Sequence, residues 1–124
     1  MSTVLIIDDE SGIRNVMRLV LQQHHITVVE APSAQKGREQ LLTASFDAIL
    51  LDFRLPDMTG LQWLESTHDL SSAPVILISA SAEIAHMTPQ GRIVAILPKP
   101  FKLNHLWSVV KQVLEPPPSQ ETAP

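Results

Sequence analysis

An α/β fold, one parallel sheet with helices on both faces, is predicted by three observations on this chain of 124 residues. Short runs rich in β-branched residues alternate with amphipathic stretches, which is the sequence form of βαβ units rather than of hairpins. Three of the runs, at positions 4–7, 48–51 and 75–78, are apolar on both faces, as strands covered from both sides must be. The length is about one domain's worth, and 44% apolar with 18% charged residues suffices for one buried core.

Five strands are expected, at 3–7, 26–30, 47–51, 75–79 and 93–97, with the three doubly apolar ones at the centre of the sheet. Between the first two, Ile13, Val16, Met17, Val20 and Leu21 follow the i, i+3, i+4, i+7, i+8 pattern of a one-sided helix, with Ser11 as its cap. A second helix follows Pro32, capped by Ser33, and runs to about Ala44 burying Ala34, Gly37 and Leu41. A third, short one at 60–67 carries Leu61 and Leu64. The fourth is confined to about 82–87, because Thr88, Pro89 and Gly91 end it almost at once. The last carries Leu103, Leu106, Trp107, Val110, Val113 and Leu114 behind a cap-like turn at 102–104. Residues 1–114 therefore read as one domain. Residues 115–124, which hold four of the ten prolines and no apolar periodicity, read as a disordered or polyproline-like tail.

Composition narrows the function. Nine Lys and Arg against thirteen Asp and Glu, a formal net charge of −4, argue against a nucleic-acid or anionic-membrane surface built on bulk positive charge. Zero cysteines exclude disulfides, thiolate zinc sites and cysteine nucleophiles, and fit a reducing compartment. No apolar run approaches the ~20 residues of a membrane span, and the N-terminus carries no basic leader or cleavage site, so a cytoplasmic location is expected. The five histidines share no metal-ligand spacing, and Trp63 and Trp107 read as packing residues.

In a parallel α/β sheet, ligands bind beyond the carboxyl ends of the strands, near the point where strand order reverses. Asp8, Asp9 and Glu10 follow the first strand, Asp52 the third, Ser79 and Ala80 the fourth, and Lys99, Pro100 and Phe101 the fifth. Carboxylates held within about 4 Å repel by roughly 4 kcal/mol per pair at an effective dielectric near 20, so such a cluster requires a cation or protons. Oxygen ligands with open positions suit magnesium. Lys99 and Ser79 add a positive charge and a hydroxyl for phosphoryl oxygens. The set describes phosphoryl transfer onto a carboxylate, in which the protein supplies position and charge neutralisation.

Asp8-Asp9 after the first strand, Asp52 followed by Leu55-Pro56-Asp57-Met58-Thr59-Gly60, Ser79-Ala80 and Lys99-Pro100-Phe101 succeed one another at spacings of 44, 27 and 20 residues from Asp8 to Lys99. Together they resemble the receiver domain of two-component response regulators, over about residues 3–114. The resemblance implies a flavodoxin-like, three-layer α/β/α fold with strand order 2-1-3-4-5. It implies that Asp52 accepts a phosphoryl group from a sensor histidine kinase or phosphotransfer protein. Magnesium would be held by Asp9, by Asp8 mostly through water, by Asp52 and by the backbone carbonyl of Arg54. Ser79 and Ala80 would contact the phosphoryl group, Lys99 would pair with one of its oxygens, and Lys99-Pro100 would be a cis peptide. Arg54 and Ser81 lie where side chains tune phosphoryl hydrolysis in the family.

The sequence departs from the family at Ile96, where an aromatic residue or histidine usually reports phosphorylation. The chain has no tyrosine, and a β-branched side chain offers fewer rotamers, which shifts the expected readout to the fourth-helix segment. Output is expected through a downstream protein on the face of the fourth helix, fifth strand and fifth helix, from a monomer or a phosphorylation-dependent dimer. It involves no direct contact with nucleic acid or membrane and no attached output domain. Two alternatives compete with a switching phosphoacceptor that is not an enzyme. One is a receiver-like interaction module that no longer switches. The other is a magnesium-dependent phosphohydrolase, disfavoured because Arg54 stands where its second aspartate would be.

Overall fold

The computed structural model describes residues 2–84 and 86–115, with the side chains of Ser81 and Glu83 left aside, so the expected tail falls outside the described residues apart from Glu115. The chain alternates β1 (Thr3–Ile7), α1 (Ser11–Gln23), β2 (Thr27–Ala31), α2 (Ala34–Thr43), β3 (Ala48–Asp52), α3 (Gly60–Ser66), β4 (Val75–Ala80), α4 (Ser81–Ile84), β5 (Ile93–Lys99) and α5 (Leu103–Leu114). All neighbouring strands pair in parallel, in the order β2-β1-β3-β4-β5. This is the predicted three-layer fold, and the reversal of order beside β1 opens the crevice in which its ligands bind.

Side-chain alternation along the strands divides the core in two. Val4, Ile6, Ala48, Leu50, Ile76 and Ile78 face α1 and α5, meeting Met17, Leu21, Leu106 and Val110. Leu5, Ile7, Ile49, Leu51, Val75 and Leu77 face the other layer, meeting Ala34 and Leu41 of α2, Trp63 of α3 and Ile84 of α4. β1 and β3 lie at the centre with almost no exposed surface, as their doubly apolar sequences require.

Several boundaries and anchors differ from expectation. Four strands end later than predicted, so Ala31, Asp52, Ala80 and Lys99 are strand residues rather than loop residues. Asp52 stands opposite Ile78 and Ala80 opposite Lys99, and the Phe53 amide bonds the Ile78 carbonyl at 2.8 Å. Ser11 is not a cap: it is the first helical residue, and the cap position belongs to Glu10, which makes no side-chain cap hydrogen bond. The turn before α5 likewise lacks a side-chain cap. Val16, Leu61 and Leu103, expected in buried stripes, are 40%, 42% and 49% exposed. On α3 the anchor is Trp63 instead, wholly buried and donating its indole N–H to the Ala34 carbonyl at 2.9 Å. α4 is shorter than 82–87 and begins directly at the end of β4.

The N-terminus of α2 is closed from two directions. Ser33 accepts the Lys36 amide as predicted. Asp57, from the loop between β3 and α3, accepts the Ala34 and Gln35 amides at 3.0 and 2.9 Å. Three first-turn donors that a helix leaves unpaired are thereby satisfied. The contact also ties the loop after Asp52 to a helix on the same side of the sheet. Partial burial disfavours the Asp57 charge, but the amides of Ala34, Gln35 and Asp57 itself outweigh it and hold the carboxyl below its ordinary value of 3.8. A carboxyl lowered by folding stabilises above its unfolded value and loses that effect as pH falls through the folded one. Asp57→Ala should therefore cost about 0.3–1 kcal/mol in urea melts near neutrality, the range for an exposed charge at a helix N-terminus. The difference from wild type should close as the pH is lowered below 3.8.

Candidate functional site

The carboxyl ends of β1, β3, β4 and β5 converge on a cleft of about 340 Å³ lined by Asp9, Glu10, Asp52, Arg54, Ser79, Ala80 and Lys99. Asp8 lies beneath it, 1% exposed, with Asp52 and Ser79 at 5% and 2%. The side chain of Lys99 reaches back from the end of β5 into this group. Its ammonium stands 3.3 Å from Asp8 Oδ2, 3.2 Å from Glu10 Oε1 and 3.2 Å from Asp52 Oδ2. The two buried carboxylates are held at their other oxygens by backbone amides, Asp8 Oδ1 by Glu10 at 2.8 Å and Asp52 Oδ1 by Arg54 at 3.1 Å. Arg14 of α1 bonds the Asp8 carbonyl and pairs with Glu30 of β2, which fixes the start of the loop between β1 and α1.

The electrostatics follow from this crowding. Burial pushes the Asp8 carboxyl above its ordinary value. The Glu10 amide opposes the shift, the Asp52 charge adds to it, and Lys99 opposes it. Burial alone would lower the Lys99 ammonium, but the charges of Asp8 and Asp52 and its hydrogen bonds to both carry it above its ordinary 10.5. One ammonium thus faces three carboxylates, with oxygen atoms of Asp8, Glu10 and Asp52 all within 4.8 Å of one another. The buried oxygens of Asp8 and Asp52, with Asp9 lining the cleft beside them, are donors that fit a hard divalent cation such as magnesium, while Glu10 is turned to Lys99.

The loop after Asp52 depends on close backbone approach. The Gly60 amide bonds the Phe53 carbonyl at 2.6 Å. A Cβ on Gly60 would lie 2.9 Å from the Asp52 carbonyl oxygen and 3.2 Å from Phe53 Cα. Thr59 and Gln62 then close a capping box on α3, with Arg54 and Thr59 bridged across the loop.

Every residue singled out for phosphoryl or metal chemistry therefore lies at this one edge of the sheet, and the Lys99-Pro100 bond is cis. Asp9 lines the cleft, but it is Glu10, unassigned in the sequence reading, that joins Asp8 and Asp52 around Lys99. An acid next to an acidic pair is the only sequence signal for it, and the turn into α1 is what brings Glu10 as well as the buried Asp8 to Lys99. The role of Asp57 at α2 depends on a tertiary contact between segments more than twenty residues apart in the chain. Ile96 lies opposite Leu77 and packs, half-buried, with the layer containing Ile84 and Met87. The Ser81 side chain lies outside the described set.

A doubly wound parallel sheet of order β2-β1-β3-β4-β5 with an acidic cleft at its switch point defines a flavodoxin-like α/β domain. The profile of the response regulator receiver domain family matches residues 4–111, and the chain belongs to that family of two-component signalling domains. It is 33% identical over 121 residues to the KDP operon transcriptional regulatory protein KdpE of Escherichia coli, covering 92% of this chain and 52% of that protein. The chain thus spans about half the length of this relative. Among solved structures, a CheY-like receiver domain protein from Methanospirillum hungatei superposes with a TM-score of 0.83 at 27% identity, covering 93% and 94% of the two chains. The chemotaxis response regulator CheY4 of Vibrio cholerae superposes with a TM-score of 0.78 at 25% identity, covering 92% and 99%.

Gly60→Ala should cost on the order of 1–3 kcal/mol in denaturant melts, because the added methyl meets backbone rather than a yielding side chain. It should also shift the amide resonances of Asp52 to Arg54, whereas Gly12→Ala, where nothing lies within 4 Å, should leave them in place.

Proposed function

We propose that this chain is a phosphoacceptor whose Asp52 takes a phosphoryl group from a phosphohistidine on a sensor kinase or phosphotransfer protein, with magnesium bound. The observation that carries the reading is the Lys99 ammonium 3.2 Å from Asp52 Oδ2, beside the buried Asp8 carboxylate. In the transfer, a carboxylate oxygen of Asp52 forms the new bond to phosphorus, the nitrogen–phosphorus bond breaks, and the imidazole leaves with its electron pair. Asp8, Asp9, Asp52 and the Arg54 carbonyl would hold the metal, which offsets charge on the phosphoryl oxygens and the carboxylates. Lys99 pairs with one of those oxygens, and the Ser79 hydroxyl and Ala80 amide hydrogen-bond to the others. Residues 1–114 act as one receiver domain, with the chain from 115 onward outside it.

The donor docks, in this reading, on an apolar cleft of about 650 Å³ lined by Gly12, Ile13, Val16, Pro100, Phe101 and Leu103, which shares Glu10 and Lys99 with the phosphoryl cleft. The exposed Val16 and Leu103 belong to it, so their failure to join the core has a use. Output is assigned to the face of α4, β5 and α5, where Val94 is 45% exposed beside Ala95, Val109 and Val113. Among the described residues no helix is long and apolar enough to cross a membrane.

Acetyl phosphate with magnesium should add one phosphoryl group to wild type, read by intact mass, and none to Asp52→Asn. A wild-type protein that gains no mass with either acetyl phosphate or a phosphohistidine donor would remove the reading. Val16→Asp should slow transfer from a phosphohistidine protein about tenfold or more, as expected for a charge placed in an apolar interface, and leave the acetyl phosphate rate within twofold, since small donors do not use the cleft.

A further inference from the structure

Lys99 is the cation that the proposed reaction needs for a phosphoryl oxygen, yet the resting structure surrounds it with three carboxylates. An ammonium has three N–H donors, each of which can serve one acceptor. The three carboxylates are not equivalent. Asp8 and Asp52 have side chains 1% and 6% exposed, each anchored at its second oxygen by a backbone amide. The Glu10 side chain is 58% exposed, and among the described residues Lys99 is the side chain it bonds. Its backbone holds the cap position of α1, but its carboxylate makes no cap hydrogen bond. Helix capping therefore does not explain where the side chain goes.

From this asymmetry we infer that Glu10 is an internal competitor for Lys99: its carboxylate occupies the donor that a phosphoryl oxygen on Asp52 takes, and it is the partner given up when the phosphoryl group arrives. The inference rests on the phosphoacceptor reading of Asp52. Glu10 lines both the phosphoryl cleft and the apolar cleft beside it, so the released side chain swings toward solvent at their shared wall. Because the pair is largely exposed on the Glu10 side, surrendering it has a modest cost. Glu10 thus sets how tightly the phosphorylated state is held without touching the reacting atoms, which makes it a positioning residue.

Beryllofluoride, which stands in for the phosphoryl group on the acceptor carboxylate, tests this at equilibrium without turnover. It is titrated in excess magnesium into wild type, Glu10→Gln and Glu10→Asp, and followed by amide chemical shifts; magnesium alone is titrated in parallel. Glu10→Gln removes the competing charge, and Glu10→Asp keeps a charge but shortens its reach. Both are expected to bind beryllofluoride about two- to fivefold more tightly than wild type, the range for losing one exposed ion pair, with unchanged affinity for magnesium alone. Equal or weaker beryllofluoride binding by Glu10→Gln overturns the inference. So does an Asp variant that matches wild type while the Gln variant is tighter, because net charge and not the contact would then be responsible. A fall in magnesium affinity in Glu10→Gln also overturns it, by making Glu10 a metal ligand. If wild type itself fails to bind beryllofluoride, the reading of Asp52 fails and the competitor role falls with it. Wild-type binding with no gain in the Gln variant removes the competitor role alone.

Discussion

One ammonium holds together a group of like charges that would otherwise drive its surroundings apart. Lys99 comes from the end of β5, whereas its carboxylate partners come from the end of β3 and from the end of β1 and the turn beyond it. These are brought together only because β1, β3 and β4 stand side by side in parallel with β5 at the edge. Removing one partner of a buried ion pair leaves the other uncompensated, a loss of about 3–5 kcal/mol in comparable cases. The imbalance of one cation to three carboxylates is therefore both a liability of the resting fold and the property that suits the cleft to a divalent cation and a phosphoryl group. Stability and function draw on the same residues here, as strained electrostatics at functional sites commonly do.

Around this centre, backbone contacts restrict the loops. Glu10 and Arg54 each donate an amide to the preceding carboxylate, so the turn after β1 and the turn after β3 repeat one device. The second loop is held further by Gly60 against the Asp52 carbonyl and by Asp57 on the amides of α2. α2 is in turn fastened to α3 through Trp63 and the Ala34 carbonyl. The Asp52 carboxylate thus stands on a strand whose following loop is tied to both flanking helices of its layer. A site positioned this way varies little in geometry.

The opposite side of the cleft is built by β4, β5 and the segment that follows β4. Among the described residues α4 spans Ser81–Ile84 and follows β4 without a loop, with Ile84 buried in the layer of α2 and α3. Ile96 packs in the same layer as Ile84 and Met87. The β-branched side chain at this position is thus held by core packing and has few rotamers of its own.

Much of this is legible in the amino-acid sequence. The order of elements, the central strands, the cap of α2 and the set of residues at the carboxyl edge of the sheet follow from apolar periodicity and from what stands just after each apolar run. These are local properties, and side-chain spacing along a helix or strand records them directly. Which members of an amphipathic stripe stay exposed was not legible: Val16, Leu61 and Leu103 have the right spacing, but burial depends on what another element places opposite them. Trp63, read as a packing residue, is indeed buried, but the same limit hid its hydrogen bond to Ala34, Asp57 as a cap for a helix 23 residues earlier in the chain, and Glu10 rather than Asp9 as the third carboxylate on Lys99. Sequence determined which chemical groups reach the edge of the sheet. Tertiary structure decided which of them touch, because hydrogen bonds and ion pairs depend on separations of about 3 Å between residues that are as far apart in the chain as Asp8 and Lys99.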